Sequence, residues 1–313
     1  MAGQRTGDTP LVKRMGILAG VGLLAAVGAL LGPRLWRHLM DPGAAGAAAT
    51  EIAPDVHLLG PRGRTQTNAY LVREGSSWIL VDAGWTNDGP RIQSAARTLL
   101  GPGLAPSAIL LTHAHPDHEG SAGELARLWG CPVYVHPDEI PFATGDFAAM
   151  ARYAGPLDRW LILPIMRAMG GRRREAILAA GSLAGIIQPL PPGGAIPGLE
   201  GWRWIPTPGH TPGHVAYVRG ADRVVISGDA LVTLEVNTWG GILRQRQGLS
   251  GPPWYTTWDP AAAAASIVEI ADLEPAVLAG GHGRPLTGPA TAAAVRAFAA
   301  RTARRAGAGR ARA

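Results

Sequence analysis

The segment AILLTHAHPDH, residues 108–118, joins an apolar run directly to a cluster of ionisable side chains. A short apolar run of this kind predicts a buried β-strand, and the polar residues after it predict a loop at the end of that strand. The loop holds four side chains of metal-binding type, namely His113, His115, Asp117 and His118. Imidazole and carboxylate groups are the ligands that Zn²⁺ and similar ions prefer. This pattern therefore favours a metal site at a strand end.

The spacing within this loop suits two metal ions. Alternate residues of an extended backbone point to the same side, so His113 and His115 can share one ion. The chain bends at Pro116, after which Asp117 and His118 can face a second ion. Further candidate ligands follow later apolar runs: His210 in PTPGH, Asp229 in VVISGD and His282 in AGGHG. Glycines in these segments allow the backbone to approach a small ion closely.

The order of the other segments predicts an α/β domain. Short apolar runs bounded by Gly and Ser recur from Ile52 onward and indicate consecutive strands. Residues 90–101 form a predicted helix that ends at Gly101, and residues 259–273 form another. Two halves with a similar order of strand, loop and helix favour two packed sheets with helices outside. Their strand ends are the expected place for the site.

Over roughly residues 52–290 the sequence resembles the metallo-β-lactamase fold superfamily, with a ligand set like that of glyoxalase II and lactonase-like hydrolases. The matching segments are THAHPDH, TPGHTPGH, SGD and GHG, in the order that is typical of the family. The resemblance implies an α/β fold, a four-layer αββα sandwich of two mixed β-sheets with outer helices. It also implies one metal ion on His113, His115 and His210, another on Asp117, His118 and His282, and Asp229 as a bridge between them.

Two further residues are expected to support this site. Asp82, in the segment LVDAG, matches the family's first motif and would orient a ligand from behind. His214 is the second histidine of GHTPGH. The family's usual ligand is the first histidine of that segment, so His214 is expected to be structural or to lie behind the ligands.

The predicted function is that of a metal-dependent hydrolase. Two zinc ions are expected, with iron or manganese as alternatives. A pair of cations about 3.5 Å apart lowers the pKa of a shared water, and the resulting bridging hydroxide would cleave an ester, thioester or lactone-type bond. Asp117 is the expected catalytic residue, because it can orient this hydroxide and pass on a proton. The alternatives are a mononuclear-iron persulfide dioxygenase and a phosphodiesterase or nuclease of the same fold.

Substrate contacts are expected from the segments that vary around such a site. Residues 231–258 carry four aromatic candidates, Trp239, Trp254, Tyr255 and Trp258. Aromatic side chains near a metal centre often shape a pocket, although they can equally pack its rim. Residues 141–200 are a predicted helical insert that caps or flanks the domain, and Pro164 prevents a single regular helix there.

The N-terminal region predicts an apolar helix. Residues 15–32 contain no charged side chain, and as a helix they would span about 27 Å, near the lower limit for a membrane span. We therefore expect a membrane anchor or signal segment at 1–40, a linker at 41–51, the catalytic domain at 52–295 and a basic tail at 296–313. An anchored domain outside the cytoplasm is favoured, and a secreted or cytoplasm-facing domain is the alternative.

The charge distribution limits the expected partners. The formal net charge is +6, and residues 296–313 contribute six arginines and no acid, so the rest of the chain is formally neutral. Charge confined to a terminus favours a solvated tail over a nucleic-acid surface. The expected partners are a small-molecule substrate and the membrane, with no specific nucleic acid. The sequence leaves the oligomeric state open.

Overall fold

The structure is a computed structural model that describes residues 49–61 and 63–310. The predicted apolar helix of the N-terminus and most of the predicted linker lie outside these residues. Only the end of the linker is described, and its Thr50 and Glu51 belong to the first strand.

The first large sheet is mixed and has seven strands in the described part of the chain. They lie side by side in chain order: β1 Thr50–Ala53, β2 Val56–Leu58, β3 Tyr70–Glu74, β4 Ser77–Val81, β5 Ala108–Leu110, β6 Val133–Val135 and β7 Ile187–Pro189. Strands β1 to β4 pair antiparallel, and β4 to β7 pair parallel.

The second large sheet is also mixed. The remaining strands are β8 Trp202–Pro206, β9 Val215–Arg219, β10 Val224–Gly228, β11 Val232–Leu234, β12 Gln247–Ser250, β13 Val277–Gly280 and β14 Leu286–Thr287. Five of them form the sheet in the order β14-β13-β10-β9-β8, in which only β10 and β13 pair in parallel. Strands β11 and β12 form a small antiparallel pair.

Ten α-helices connect these strands within residues 63–310. They are α1 Gly89–Leu100, α2 Pro116–Glu119, α3 Ala122–Trp129, α4 Ile140–Ala143, α5 Phe147–Arg152, α6 Leu163–Ala168, α7 Gly171–Gly181, α8 Trp239–Leu243, α9 Pro260–Asp272 and α10 Thr291–Arg310. The predicted stop of α1 is confirmed, because Gly101 follows it with φ of 87°. At α9, the Asp259 side chain accepts hydrogen bonds from the first free N–H groups, which fixes the start of the helix.

Three apolar clusters separate the layers. Because alternate strand residues point to opposite faces, Leu80 packs among residues of α1 and α3, whereas its neighbour Ile79 packs against the second sheet. On the far side of the second sheet, Val225 packs with Ile267 of α9 and Val295 of α10. The order is therefore helices, sheet, sheet and helices, as the resemblance implied.

The predicted insert at 141–200 contains several short helices and also supplies β7, the edge strand of the first sheet. Pro164 lies in the first turn of α6, just after a π-helical turn at Asp158–Ile162. The insert contacts the loop before α9. Leu157 N–H donates to the Tyr255 carbonyl at 2.7 Å, and the rings of Tyr153 and Trp258 meet edge to face at 5.1 Å.

The C-terminal region is helical through Arg310, so residues 296–310 of the predicted basic tail continue α10. Val295 and Ala299 anchor this helix in the apolar cluster beneath the second sheet. In the part of the chain that the structure describes, no helix has both the length and the apolar character needed to cross a membrane.

Candidate metal centre

The seven predicted ligands meet where strands from both sheets end. His113 and His115 follow β5, and helix α2 presents Asp117 and His118 directly after them. The other three follow strands of the second sheet: His210 after β8, Asp229 after β10 and His282 after β13. Residues that are up to 169 positions apart in the sequence (113 to 282) therefore surround one point.

Three histidines form the first group of ligand atoms. Nε2 of His113 lies 3.1 Å from Nδ1 of His115, and this Nδ1 lies 2.9 Å from Nε2 of His210. Nitrogen ligands about 2.0 Å from a tetrahedral zinc ion are roughly 3.3 Å apart. The three imidazoles are therefore spaced as ligands of one ion are spaced.

Asp117, His118 and His282 form the second group. Oδ2 of Asp117 lies 3.4 Å from Nε2 of His282 and 3.8 Å from Nε2 of His118. One carboxylate and two imidazoles suit the same class of divalent cation as the first group.

Asp229 lies between the two groups. Its Oδ1 is 3.4 Å from Nε2 of His118, and its Oδ2 is 3.4 Å from Nε2 of His210 and 3.2 Å from Nε2 of His282. A single carboxylate therefore faces nitrogen atoms of both groups, which is the position that a bridging ligand requires.

The side chains fit a metal ion by two further criteria. Nε2 of His118 and Oδ1 of Asp229 are buried without a hydrogen-bond partner among the described residues, so each is available to a metal ion. A Cβ at Gly281 would lie 2.2 Å from Oδ1 of Asp229 and 2.8 Å from Cε1 of His118. Only glycine leaves this side of the centre open.

Comparison with known proteins assigns the family. The family model described as the metallo-beta-lactamase superfamily matches residues 62–282, which include every candidate ligand. This chain belongs to the metallo-beta-lactamase superfamily. The resemblance inferred from the sequence motifs is thereby confirmed.

Individual relatives agree with this assignment. The chain is 37% identical over 246 residues to the probable metallo-hydrolase YflN of Bacillus subtilis (strain 168), covering 77% of this chain and 88% of that protein. It is 31% identical over 182 residues to the probable metallo-hydrolase YqgX of the same organism, covering 55% and 69%. A metallo-beta-lactamase family protein of Thermus thermophilus shares the fold, with a TM-score of 0.54, 24% identity and coverage of 80% and 79%. The chain is therefore related to metallo-hydrolases.

The pKa shifts in this site differ between the two ligand groups. Burial, reinforced by neighbouring histidines, holds the pKa values of His113 and His210 well below the usual range. Burial also opposes protonation of His118, but Asp117, Asp229 and Asp82 raise its pKa well above the usual value. His113 and His210 are thus neutral and ready to coordinate, whereas the acidic residues around His118 attract positive charge.

Asp82, at the end of β4, supports His118. Its Oδ2 accepts a hydrogen bond from Nδ1 of His118 at 2.8 Å, and its Oδ1 accepts one from the Thr112 N–H at 2.8 Å. Because a carboxylate only accepts, Nδ1 carries a proton, and Nε2 is the nitrogen that faces the centre and can coordinate a metal. Asp82 has φ of 57°, a left-handed conformation that aspartate tolerates better than most residues.

His214 lies behind the candidate ligands. Its Nε2 accepts a hydrogen bond from the Asp229 N–H at 3.0 Å, and its Nδ1 is 2.8 Å from Oγ1 of Thr207. Both ring nitrogens are occupied, which leaves no lone pair for a metal. Burial lowers the pKa of His214 to about 3, so the ring stays neutral at ordinary pH.

The four aromatic candidates differ in what they contact. Tyr255 lies within electrostatic range of two candidate ligands: burial raises the pKa of Tyr255, and the charges of Asp117 and Asp229 raise it further. The backbone N–H of Trp258 donates to the His210 carbonyl at 3.4 Å. The ring centroids of Trp254 and Tyr255 lie 5.8 Å apart. Trp239 begins α8 and is half-buried.

Glu139 belongs to this site although no spacing in the sequence marks it. It is fully buried and accepts hydrogen bonds at 2.8 Å from the N–H groups of Ala114 and Gly213. Burial raises the pKa of Glu139, while these two donors oppose the shift. The sequence shows only an acid two residues after a proline, which is a common surface pattern.

Proposed function

We propose that this protein is a hydrolase with a dinuclear metal centre that cleaves an ester, thioester or lactone-type bond in a small molecule. The observation that carries the proposal is the position of Asp229, whose two carboxylate oxygens face nitrogen atoms of both ligand groups at 3.2 to 3.4 Å. A carboxylate so placed could bind an ion in each group at once. Membership of the metallo-beta-lactamase superfamily supports the same conclusion.

The proposed ligands are those of the two groups. The first ion would be held by His113, His115 and His210, the second by Asp117, His118 and His282, and both by Asp229. Zinc is the proposed metal, because sets rich in imidazole with a carboxylate suit it. Finding iron or manganese in place of zinc is an alternative outcome of the metal analysis described below.

When bound, two such cations would lower the pKa of a water molecule and polarise the carbonyl oxygen of a substrate. The protein's own residues would orient the reactants. The Asp117 side chain is 17% exposed, whereas that of Asp229 is 3% exposed and that of His118 fully buried. Asp117 is therefore the carboxylate of the site that solvent and substrate reach. We assign it the orientation of the attacking water and the acceptance of its proton.

The substrate path is proposed to run along residues 231–258, which carry the four aromatic candidates. Tyr255 lies within electrostatic range of Asp117 and Asp229, and Trp258 lies beside His210, so these two would contact the substrate directly. Trp254 would support Tyr255, and Trp239 would lie further out. The insert would close over this segment through the contact between Leu157 and Tyr255.

The cellular location is a further part of the proposal. Residues 1–40 would attach the protein to a membrane, with the catalytic domain outside the cytoplasm. Fractionation of cells that express the full chain or a chain without residues 1–40 tests this. Recovery of both proteins in the soluble fraction would contradict the anchor. Digestion of the catalytic domain when protease is added to intact cells would show that the domain lies outside the cytoplasm.

Metal analysis and a substrate panel test the reaction. Purified protein should contain about two equivalents of zinc, and the zinc-loaded enzyme should turn over at least one ester, thioester or lactone. Asp117→Ala should abolish turnover, while Asp138→Asn, which changes an exposed carboxylate, should not. Less than one equivalent of any metal would overturn the proposal. One equivalent of iron with oxygen consumption on a persulfide would instead establish a dioxygenase, and turnover of phosphodiesters alone would establish a phosphodiesterase.

A further inference from the structure

Glu139 is a buried acid that is not a candidate ligand and that accepts two backbone hydrogen bonds. It ends the 3-10 turn Pro137–Glu139, between β6 and α4, and is fully buried. Its Oε2 accepts from the Ala114 N–H and its Oε1 from the Gly213 N–H, each at 2.8 Å. A buried carboxylate is costly unless it is hydrogen-bonded, and hydrogen bonds to a charged acceptor are stronger than neutral ones. Both oxygens are therefore committed to these two loops.

The two N–H groups belong to the loops that carry the first ligand group. Ala114 lies between His113 and His115, and Gly213 lies three residues after His210. One loop follows β5 of the first sheet and the other follows β8 of the second. Glu139 thus joins the two sheets at the point where the three histidines must converge. A Cβ at Gly213 would lie 2.9 Å from Cγ of Glu139, so the loop packs tightly on this side chain.

We propose that Glu139 is a positioning residue that holds the two histidine loops together and thereby sets the metal affinity of the first ligand group. This inference rests on the proposed function, because it assumes that the groups bind metal. Glu139 touches neither substrate nor metal in this role. It acts through the backbone of the residues that carry His113, His115 and His210.

A glutamine at this position separates the role of the carboxylate from that of the side-chain volume. Glu139→Gln has nearly the same shape but only one acceptor oxygen, so its amide nitrogen faces the N–H of Ala114 or of Gly213. Two donors then point at each other in a buried place, and one loop is released. Gly213→Ala is a second variant that retains the acid but displaces it with an added methyl group.

The second ligand group provides a reciprocal variant. Asn68 donates through Nδ2 to the carbonyls of Gly280 and Gly283 at 2.9 and 2.6 Å, on either side of His282. Asn68→Ala therefore removes a buried polar side chain that holds a loop of the second group. It controls for a general effect of losing such a side chain, and Asp138→Asn controls for a charge change in the turn of Glu139 itself.

The experiment measures zinc affinity in the full-length protein by competition with a chromophoric chelator. His282→Ala disables the second ligand group, so zinc affinity in this background reports on the first group. His210→Ala disables the first group, so zinc affinity in that background reports on the second. In the His282→Ala background, Glu139→Gln and Gly213→Ala should weaken zinc binding about 10- to 100-fold, the usual effect of losing a residue that supports a ligand. In the His210→Ala background, the same changes should alter the affinity by less than about threefold. Asn68→Ala should show the opposite pattern.

The zinc affinities in the two backgrounds distinguish a positioning role of Glu139 from a general structural role. The selective loss in the His282→Ala background, with Asp138→Asn unchanged, supports the positioning role. Unchanged affinity in both backgrounds overturns it. An equal loss in both backgrounds, together with a lower Tm, also overturns it, because that result reports a general structural role. If the unmodified protein binds no zinc, iron or manganese, the proposed function fails and this inference fails with it.

Discussion

Oδ2 of Asp82 accepts a hydrogen bond from Nδ1 of His118 at 2.8 Å, across 36 positions of sequence. The bond connects the end of β4 to helix α2 and fixes the tautomer of His118. Nδ1 keeps its proton, so Nε2 is the nitrogen that faces Asp117 and Asp229 and can bind a metal. Asp82 thus controls which face of the imidazole is available to a metal.

Asp82→Asn should weaken zinc binding by about 10- to 100-fold. If the amide oxygen remains opposite Thr112 N–H, the amide nitrogen faces Nδ1 of His118 and drives the proton to Nε2. If the amide flips, its nitrogen faces the Thr112 N–H, and two donors then oppose each other. Asp55→Asn is the matched control, since Asp55 is also left-handed, with φ of 62°, but lies at the surface. Equal zinc affinity of the Asp82 variant and the control, measured by chelator competition, would contradict this role.

Gly281→Ala should fold but lose most of its metal. The new methyl carbon would lie 2.2 Å from Oδ1 of Asp229, so the carboxylate must move away from His118. Gly220→Ala is the control, because a Cβ at this exposed turn residue meets nothing within 4 Å. Metal content after gel filtration and circular dichroism of the two variants test the prediction. Full metal occupancy in the Gly281 variant would show that the centre lies elsewhere.

Much of this architecture was predictable because it depends on local patterns. Helix α1 stops at the predicted Gly101, which follows its last residue Leu100, and the apolar run before the histidine loop is the buried strand β5. The candidate ligands could be selected because each follows an apolar run, and both sheets present their strand ends together. That they bind two metal ions stays a prediction.

The parts that could not be predicted depend on tertiary contacts. Strand β7 reads IQP, has no apolar alternation, and is a strand only because β6 pairs with it. Glu139 lies 25 positions from Ala114 and 74 from Gly213, so no local spacing reports its two hydrogen bonds. Its importance follows from burial, which a sequence does not show for a single acid.

Asp229→Asn should reduce the affinity for both metal equivalents, whereas Asp117→Asn should reduce the affinity for one. The difference follows from their positions: Asp229 faces His210, His118 and His282, but Asp117 faces only the second group. Loss of a residue that only supports a ligand weakens metal binding about 10- to 100-fold, so we expect loss of a ligand itself to weaken it by at least about 10-fold. Stepwise zinc titration by calorimetry measures the affinity for each of the two zinc equivalents. A variant at Asp229 that loses only one equivalent would contradict the bridging position.

His214→Gln should destabilise the metal-free protein by an amount that shrinks as the pH falls. Gln can still accept from the Asp229 N–H but loses the contact with Thr207, so we expect a loss of about 1 kcal/mol at pH 7. Burial lowers the pKa of His214 to about 3 in the folded state, against 6.5 when exposed. Between these values the unfolded chain binds a proton that the folded protein excludes.

The unmodified protein therefore loses stability from His214 as the pH falls through about 6.5, and the Gln variant does not. Integrating this proton uptake gives about 1 kcal/mol between roughly pH 7 and pH 5.5. Urea unfolding of both metal-free proteins at several pH values in this range measures the difference in free energy of unfolding. The two curves should converge toward the acidic end of the range, because the other titrating histidines are common to both proteins. A difference that stays constant with pH would show that folded His214 binds a proton as readily as the unfolded chain does, and would remove it as an acceptor that stays neutral while holding the Asp229 backbone.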